Sequence, residues 1–133
     1  MPLRKNTAAR NSDIEAKAAT FDAGTLEIYT GTQPVDPNSA PSGSLLATIV
    51  IPNPAFGSAT LGTVAKSGTW SVVATGTGTA GWARFISADT LITRDVVVTN
   101  IPGGNDLLIN TLDIVIGNTV IVVSLTLTEP QEE

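Results

Sequence analysis

Apolar and polar side chains alternate over most of the chain that follows residue 24. An alternation with a period of two is typical of a β-strand that packs one face on a core, because successive side chains point to opposite faces. Glycine, proline and asparagine separate the alternating runs and indicate turns between them. The pattern predicts strands over residues 26–30, 45–51, 69–75, 82–88, 91–100, 107–116 and 120–128.

The turns between these runs predict which strands are neighbours. Residues 69–75 and 82–88 flank the Gly-Thr segment 76–81, and we expect them to form a hairpin or to lie side by side. The Gly-Asn pair at 117–118 is typical of a tight hairpin turn. In the strand over 120–128, the alternation predicts one apolar face made by Ile121, Val123, Leu125 and Leu127.

The N-terminal segment has a different pattern, because residues 7–20 are rich in alanine and contain neither proline nor glycine. Alanine is the best helix former, so a short helix is predicted here, and Gly24 is expected to end it. The predicted fold class is all-β, an antiparallel β-sandwich (Ig-like or jelly-roll-like) with a short N-terminal α-helix. We expect a helical arm over 1–24, a β-sandwich body over 25–128 and a flexible acidic tail over 129–133.

Large aromatic side chains supply the predicted core. Trp70, Trp82, Phe56 and Phe85 are expected to anchor it, because each aromatic ring removes about 150–250 Å² from water when buried. Tyr29 alternates away from its apolar neighbours, so it is expected to face outward or toward a neighbouring layer.

Charged residues are scarce, at 14% of the chain, against about 25% in an average soluble domain. The surface must therefore consist largely of small neutral residues, which suit lasting contact with other proteins and equally suit an extracellular sandwich. The formal net charge of −5 argues against nucleic-acid binding, which needs a basic face. No apolar signal-peptide core follows the basic residues 1–10, and the longest apolar stretch, 120–127, is far shorter than a membrane-spanning helix, so no membrane partner is expected.

The first residues are basic, with four cations against two acids over residues 1–17. A basic arm on an acidic body can dock on an acidic neighbour, including a second copy of the body, although an ordinary solvated helix would carry such charges too. The residues predicted at this interface are Leu3, Arg4, Lys5, Arg10, Ile14 and Lys17.

Catalytic chemistry has few candidates, because the chain contains no histidine and no cysteine. Triads that depend on either residue are excluded, and a zinc site would have to use carboxylates alone. Asp89 and Asp95 are the one pair that could act as glycosidase carboxylates, but no aromatic or polar cluster surrounds them in the sequence. We therefore expect no catalytic residue, no cofactor and no metal site.

Two motifs resemble ligand sites by their letters alone. Residues 76–81 spell the dinucleotide fingerprint G-x-G-x-x-G, but an alternating, strand-like run follows where the fingerprint requires a helix. Residues 36–39 resemble part of a calcium loop without its remaining ligands. We interpret the first as a flexible hairpin loop and the second as an Asx turn.

Several segments follow one another in a recognisable order. Residues 26–34 (LEIYTGTQP) precede 43–48 (GSLLAT) and 53–57 (NPAFG), and I-x-x-G-x-x-V-x-V-x-S-x-T spans 114–126. With GWARF at 81–85 and DLLIN at 106–110, this order resembles a family of small structural proteins of tailed bacteriophages. Many members of that family carry a polar insert in place of 66–71 (KSGTWS), which is a departure.

The resemblance implies a virion component that acts through protein–protein contacts and has no catalytic residues. We expect a capsid decoration or cement protein, located in the virion after assembly in the host cytoplasm. Its expected partners are other copies of itself and neighbouring virion proteins, such as major capsid or head–tail proteins. The alternatives are a tail, collar or fibre accessory and a glycan-binding adhesion module for the host surface, which would need exposed aromatic rings.

Overall fold

The structure, a computed structural model, describes residues 4–100 and 107–128. Within them, the elements are α1 (Thr7–Ala19), β1 (Thr25–Thr30), β2 (Leu45–Val50), β3 (Thr63–Ala65), β4 (Trp70–Val73), β5 (Gly78–Ile86), β6 (Thr93–Thr99), β7 (Leu107–Ile109), β8 (Asp113–Ile114), β9 (Thr119–Ser124) and β10 (Thr126–Thr128). The prediction of an all-β, sandwich-like fold with a short N-terminal helix is confirmed. The tail predicted over 129–133 lies outside the described residues.

The main sheet curls until it is nearly a barrel. Its strands follow the order β2-β1-β5-β6-β7-β9-β4, and β8 pairs with one end of β5. The pairings are antiparallel except between β6 and β7, which run parallel. At the open seam, the Leu46 carbonyl of β2 accepts hydrogen bonds from the Thr75 and Gly76 N–H groups, at 2.9 and 3.1 Å, just after β4. A second, two-stranded sheet pairs β10 with β3.

Both predicted strand pairings are wrong. β4 pairs with β9 and not with β5, whose partners are β1, β6 and β8. The turn at 117–118 does form, with the Asn118 N–H donating to the Val115 carbonyl at 3.0 Å. However, the two strands that it joins diverge: β8 pairs with β5, whereas β9 lies between β7 and β4.

The Gly-Thr segment crosses the seam, and this explains why it is not a hairpin loop. Residues 78–81 already belong to β5, and a strand follows the motif, as predicted. A Cβ on Gly81 would lie 1.8 Å from the Gly31 carbonyl oxygen, and one on Gly76 would lie 2.6 Å from that of Leu45. The glycines therefore allow two backbones to approach closely, which is a packing role and not phosphate binding.

A chain of four aromatic rings fills the interior. Phe21 stacks on Phe85 with ring centroids 4.0 Å apart and meets Phe56 edge-on at 5.2 Å, and Phe56 in turn contacts Trp70 edge-on at 5.6 Å. Offset-stacked and edge-on pairs are the favourable arrangements for aromatic rings. Trp70, Phe56 and Phe85 are thus core residues, as predicted, and Phe21 is a further one.

Helix α1 closes one end of this core. The Asn6 side chain caps it by accepting from the Ala9 N–H at 2.9 Å. Ile14 and Ala18 on one side of the helix are buried in the same cluster as the aromatic rings. Gly24 does not stop the helix, which ends at Ala19; a Cβ on Gly24 would lie 2.6 Å from the Phe85 ring.

Candidate functional site

The predicted docking residues of the N-terminal segment are engaged within their own chain. Ile14 is fully buried, and Lys5 is 9% exposed with its Nζ 2.8 Å from an Asp13 carboxylate oxygen. Arg10 and Lys17 are half-buried, and the Arg10 guanidinium lies against Gly62. Arg4 is exposed, and Leu3 lies outside the described residues.

Polar side chains of the same segment accept hydrogen bonds from backbone N–H groups of the chain that precedes β3. The Asn11 side-chain oxygen accepts from the Gly62 N–H at 2.8 Å, and a Glu15 carboxylate oxygen accepts from the Ala59 N–H at 3.1 Å. Asp22 accepts from the Ala55 N–H at 2.8 Å. The helix is therefore an integral layer of the domain, and Ile14 cannot serve as an intermolecular contact because it has no exposed surface.

The two candidate acids have structural partners. Both Asp95 oxygens accept hydrogen bonds from Arg84, at 2.8 and 3.0 Å, and the Asp95 side chain is 1% exposed. Asp89 accepts from the Ser87 hydroxyl and the Leu91 N–H, and these bonds lower the pKa of Asp89. A glycosidase general acid needs a raised pKa, which Asp89 lacks, and the Asp95 oxygens are already occupied by Arg84.

The outer face of the sheet around β5 is covered by the chain itself. Trp82 stacks on Tyr29 with ring centroids 4.8 Å apart, and neither ring belongs to the core cluster of the opposite face. The covering loop (residues 31–44) reaches this face, where the Arg84 guanidinium donates to the Ser39 carbonyl at 2.7 Å and lies 5.3 Å from the centre of the Trp82 ring. Trp82 is fully buried, and it belongs to this outer layer and not to the core cluster.

The covering loop also contains the predicted Asx turn. An Asp36 carboxylate oxygen accepts from the Asn38 N–H at 2.9 Å, and the Asp36 carbonyl accepts from the Ser39 N–H at 2.9 Å. This confirms the interpretation of residues 36–39 as a turn, and the turn presents the Ser39 carbonyl that Arg84 binds.

In contrast, the outer face of β4 and β9 is left uncovered and apolar. Val73, Ile121 and Val123 are 54%, 39% and 52% exposed on this face. Register places Ser71 opposite Ile121 and Val73 opposite Thr119, so these side chains are neighbours. We call this surface, together with the exposed Val115 and Ile116 of the adjoining turn, the neutral face.

The turn adjoins the two strands through hydrogen bonds. The Gly117 N–H donates to the Ala74 carbonyl at 3.0 Å, and the Ile116 N–H donates to the Thr77 hydroxyl at 3.0 Å. Residues 67–83 and 114–128, which contain the neutral face, include no Asp, Glu, Lys or Arg. Interface cores are depleted in charged residues in the same way.

The alternation placed Ile121 and Val123 on one apolar face with Leu125 and Leu127, but the structure divides this set: Leu125 is buried, whereas Ile121 and Val123 are exposed. Val120 and Val122 are buried instead, each about 1% exposed. Both faces of β9 carry β-branched apolar residues, so alternation alone could not choose the inward one. The signal that could have identified the neutral face is the absence of charge in two stretches that pair in the sheet.

Comparison with known proteins gave no family model, no curated protein and no solved structure that matches this chain. In the part that the structure describes, no helix has the length and apolar character needed to cross a bilayer. The same residues contain no cluster of three carboxylates placed to hold a metal ion.

Proposed function

We propose that this chain is a non-enzymatic structural subunit that works by lasting protein–protein contact, with the neutral face packed on a second copy of the chain. The observation that carries the proposal is the exposure of Val73, Ile121 and Val123 on one face of the paired strands, beside a turn in which Val115 and Ile116 are also exposed. All five lie in stretches of the sequence that contain no charged residue. Exposed apolar patches of this kind mark interaction sites on soluble proteins. An uncharged surface also allows two copies to meet without like-charge repulsion.

The proposed setting is a bacteriophage particle, where the chain would serve as a capsid decoration or cement protein beside capsid or head–tail proteins. This setting rests on the resemblance of residues 26–57 and 114–126 to small phage structural proteins. The many identical sites of a symmetric particle would multiply a modest interface through avidity. The identity of the neighbouring genes tests the setting: head or tail genes are expected, and a metabolic operon would contradict it.

An adhesion role has less support from the structure. Sugar-binding surfaces commonly offer exposed aromatic rings, but Trp70 and Trp82 are fully buried. Tyr29 and the three phenylalanines are also buried, so every aromatic side chain of the sequence is already packed within the domain.

The contact is tested by replacing Ile121 and Val123 together with lysine. Charged side chains placed at an apolar contact remain unpaired, and the few positions that dominate an interface each contribute about 2 kcal/mol or more to binding. We expect the wild-type protein to be oligomeric by light scattering and the double variant to associate at least about 100-fold more weakly.

The matched control is Leu91→Lys combined with Val50→Lys, which places the same charges on exposed apolar residues outside the neutral face. These side chains are 82% and 75% exposed, so the control should remain folded and oligomeric. A monomeric wild-type protein at high concentration, or an oligomer that survives the Ile121 and Val123 changes, would refute the proposed contact.

A further inference from the structure

A small apolar cavity lies between the end of the helix, the inner face of β6 and the segment around β10. Its volume is about 150 Å³, and its apolar walls are Phe21, Leu26, Trp70, Phe85, Val96, Leu125 and Leu127. Asp95 also contributes to the lining, but both of its carboxylate oxygens are bound to Arg84. An apolar cavity of roughly this size can remain dry and hold one molecule as large as benzene. The interior of this domain therefore has room for a small apolar group.

A cation lies among the walls of this cavity. Arg94 shares the inward face of β6 with Val96 and Val98, and register places it opposite Phe85. A charged side chain is rare on an inward face, because losing its hydration is costly unless a partner compensates. A leucine at this position would instead extend the apolar core.

The charge of Arg94 has no carboxylate partner among the described residues. One of its nitrogens donates to the Thr20 hydroxyl at 2.7 Å, and its guanidinium carbon lies 5.1 Å from the centre of the Phe21 ring. Asp95 is adjacent in sequence but points to the outer face, where both its oxygens bind Arg84. Burial lowers the pKa of Arg94, which reflects the same lack of compensation.

A guanidinium presents five N–H donors in a planar fork that matches the two oxygens of a carboxylate. The Thr20 hydroxyl accepts from one nitrogen of this fork. Arg94 is half-buried, so its other N–H donors remain within reach of a solute. The cavity thus offers an apolar space and an anion-binding group at one site.

We propose that this cavity binds a small carboxylate with an apolar ring or short chain, whose carboxylate pairs with Arg94 and whose apolar part enters between Phe21 and Leu125. A ligand of this size has few atoms, so the dissociation constant should lie roughly between micromolar and millimolar. The cavity faces the interior and the neutral face points outward, so this site is independent of the proposed self-association.

Benzoate and benzyl alcohol are the probes, because they share a ring and differ in the anionic group. Titration of the full-length protein, followed by amide chemical shifts, should give saturable one-to-one binding of benzoate with shifts concentrated around Phe21 and Leu125. Benzyl alcohol should bind at least about 10-fold more weakly, since it lacks the charge that pairs with Arg94.

Two variants separate the parts of the site. Arg94→Gln should lower benzoate affinity at least about 10-fold and remove its preference over benzyl alcohol. Val96→Phe should abolish binding of both probes by filling the cavity. Lys66→Gln removes the same charge at a residue that does not line the cavity, and it should leave both affinities unchanged.

Failure of benzoate to bind the folded wild-type protein would overturn the proposal, and so would equal affinity for benzoate in Arg94→Gln. The wild-type comparison of the two probes requires no variant, so a variant that fails to fold does not remove the test. Equal binding of benzyl alcohol and benzoate to the wild-type protein would also refute the role of Arg94.

Discussion

At the scale of single residues, the Arg84–Asp95 pair secures the outer layer of the domain. The Arg84 and Asp95 side chains are 7% and 1% exposed, and the guanidinium also reaches the Ser39 carbonyl of the covering loop. Hydrogen bonding to Asp95 raises the pKa of Arg84, so the guanidinium stays charged over the accessible pH range. One side chain therefore connects β5, β6 and the covering loop.

Asp95→Asn tests this connection. The variant removes the carboxylate that binds the buried guanidinium and leaves Glu27 as a more weakly interacting acid, and breaking a buried pair in this way commonly costs about 3–5 kcal/mol. We expect that loss in the free energy of unfolding, measured by urea denaturation, together with a gain in Trp82 exposure to a soluble quencher.

Asp13→Asn is the matched control, because Asp13 also pairs with a cation but its side chain is 48% exposed. The Asp13 carboxylate is half in solvent, although its partner Lys5 is only 8% exposed, so this variant should lose clearly less stability than Asp95→Asn. If the two variants lost the same stability, the Arg84–Asp95 pair would not have the role assigned to it.

At the scale of elements, the helix and β9 differ in how far the sequence determined them. Alanine content was sufficient to predict α1, but its amphipathic stripe is thin, and only tertiary packing decides that Ile14 faces the core. In β9, both faces are apolar, and the inward one is set by the partners β4 and β7. The local sequence was thus sufficient to identify the helix and the strand, whereas the face that each turns toward the core depended on tertiary packing.

Ile14→Ala tests the helix as a structural layer. Ile14 is fully buried, so its truncation leaves a cavity in the core and should cost about 2–5 kcal/mol of unfolding free energy. Ser12→Ala, at an exposed position of the same helix, should change the unfolding free energy by less than about 0.5 kcal/mol. An Ile14→Ala variant as stable as Ser12→Ala would show that the helix is a detachable arm.

At the scale of the whole molecule, the topology, that is, which strands pair with each other, could not be predicted from the sequence. Most strand positions followed from alternation and from turn residues, although β3 was not predicted. The pairing of β4 with β9 and of β1 with β5 joins segments that are far apart in the chain. Turn signals favour neighbours in sequence, and two such signals led to wrong pairings here. The neutral face escaped prediction for the same reason, because it exists only once β4 and β9 are side by side.

The stability of the whole domain at high pH should depend on Tyr29, the one tyrosine of the chain. Burial, then the hydrogen bond to Glu27, raises the pKa of Tyr29 from 10.0 to about 12. A pKa raised in the folded state stabilises the fold below pH 10, and this contribution is lost as the pH rises toward 12.

Tyrosinate absorbance measures this directly, with an expected midpoint near pH 12 in the native protein and near pH 10 in urea. Tyr29→Phe should reduce the decline in unfolding free energy between these pH values. A native midpoint near pH 10 would indicate that the Tyr29 hydroxyl is solvated and that the covering loop does not shield it.

The way in which the curled sheet is connected has a kinetic consequence. β5 pairs with β1, the end of β2 bonds to the segment after β4, and β3 pairs with β10, and each of these contacts joins segments that are distant in the chain. Long loops must therefore close before much apolar surface is buried. Chains dominated by such distant pairings fold slowly, in milliseconds to seconds. During that interval unpaired strand edges are accessible to other nascent copies, so synthesis rate and local concentration will decide between correct closure and aggregation.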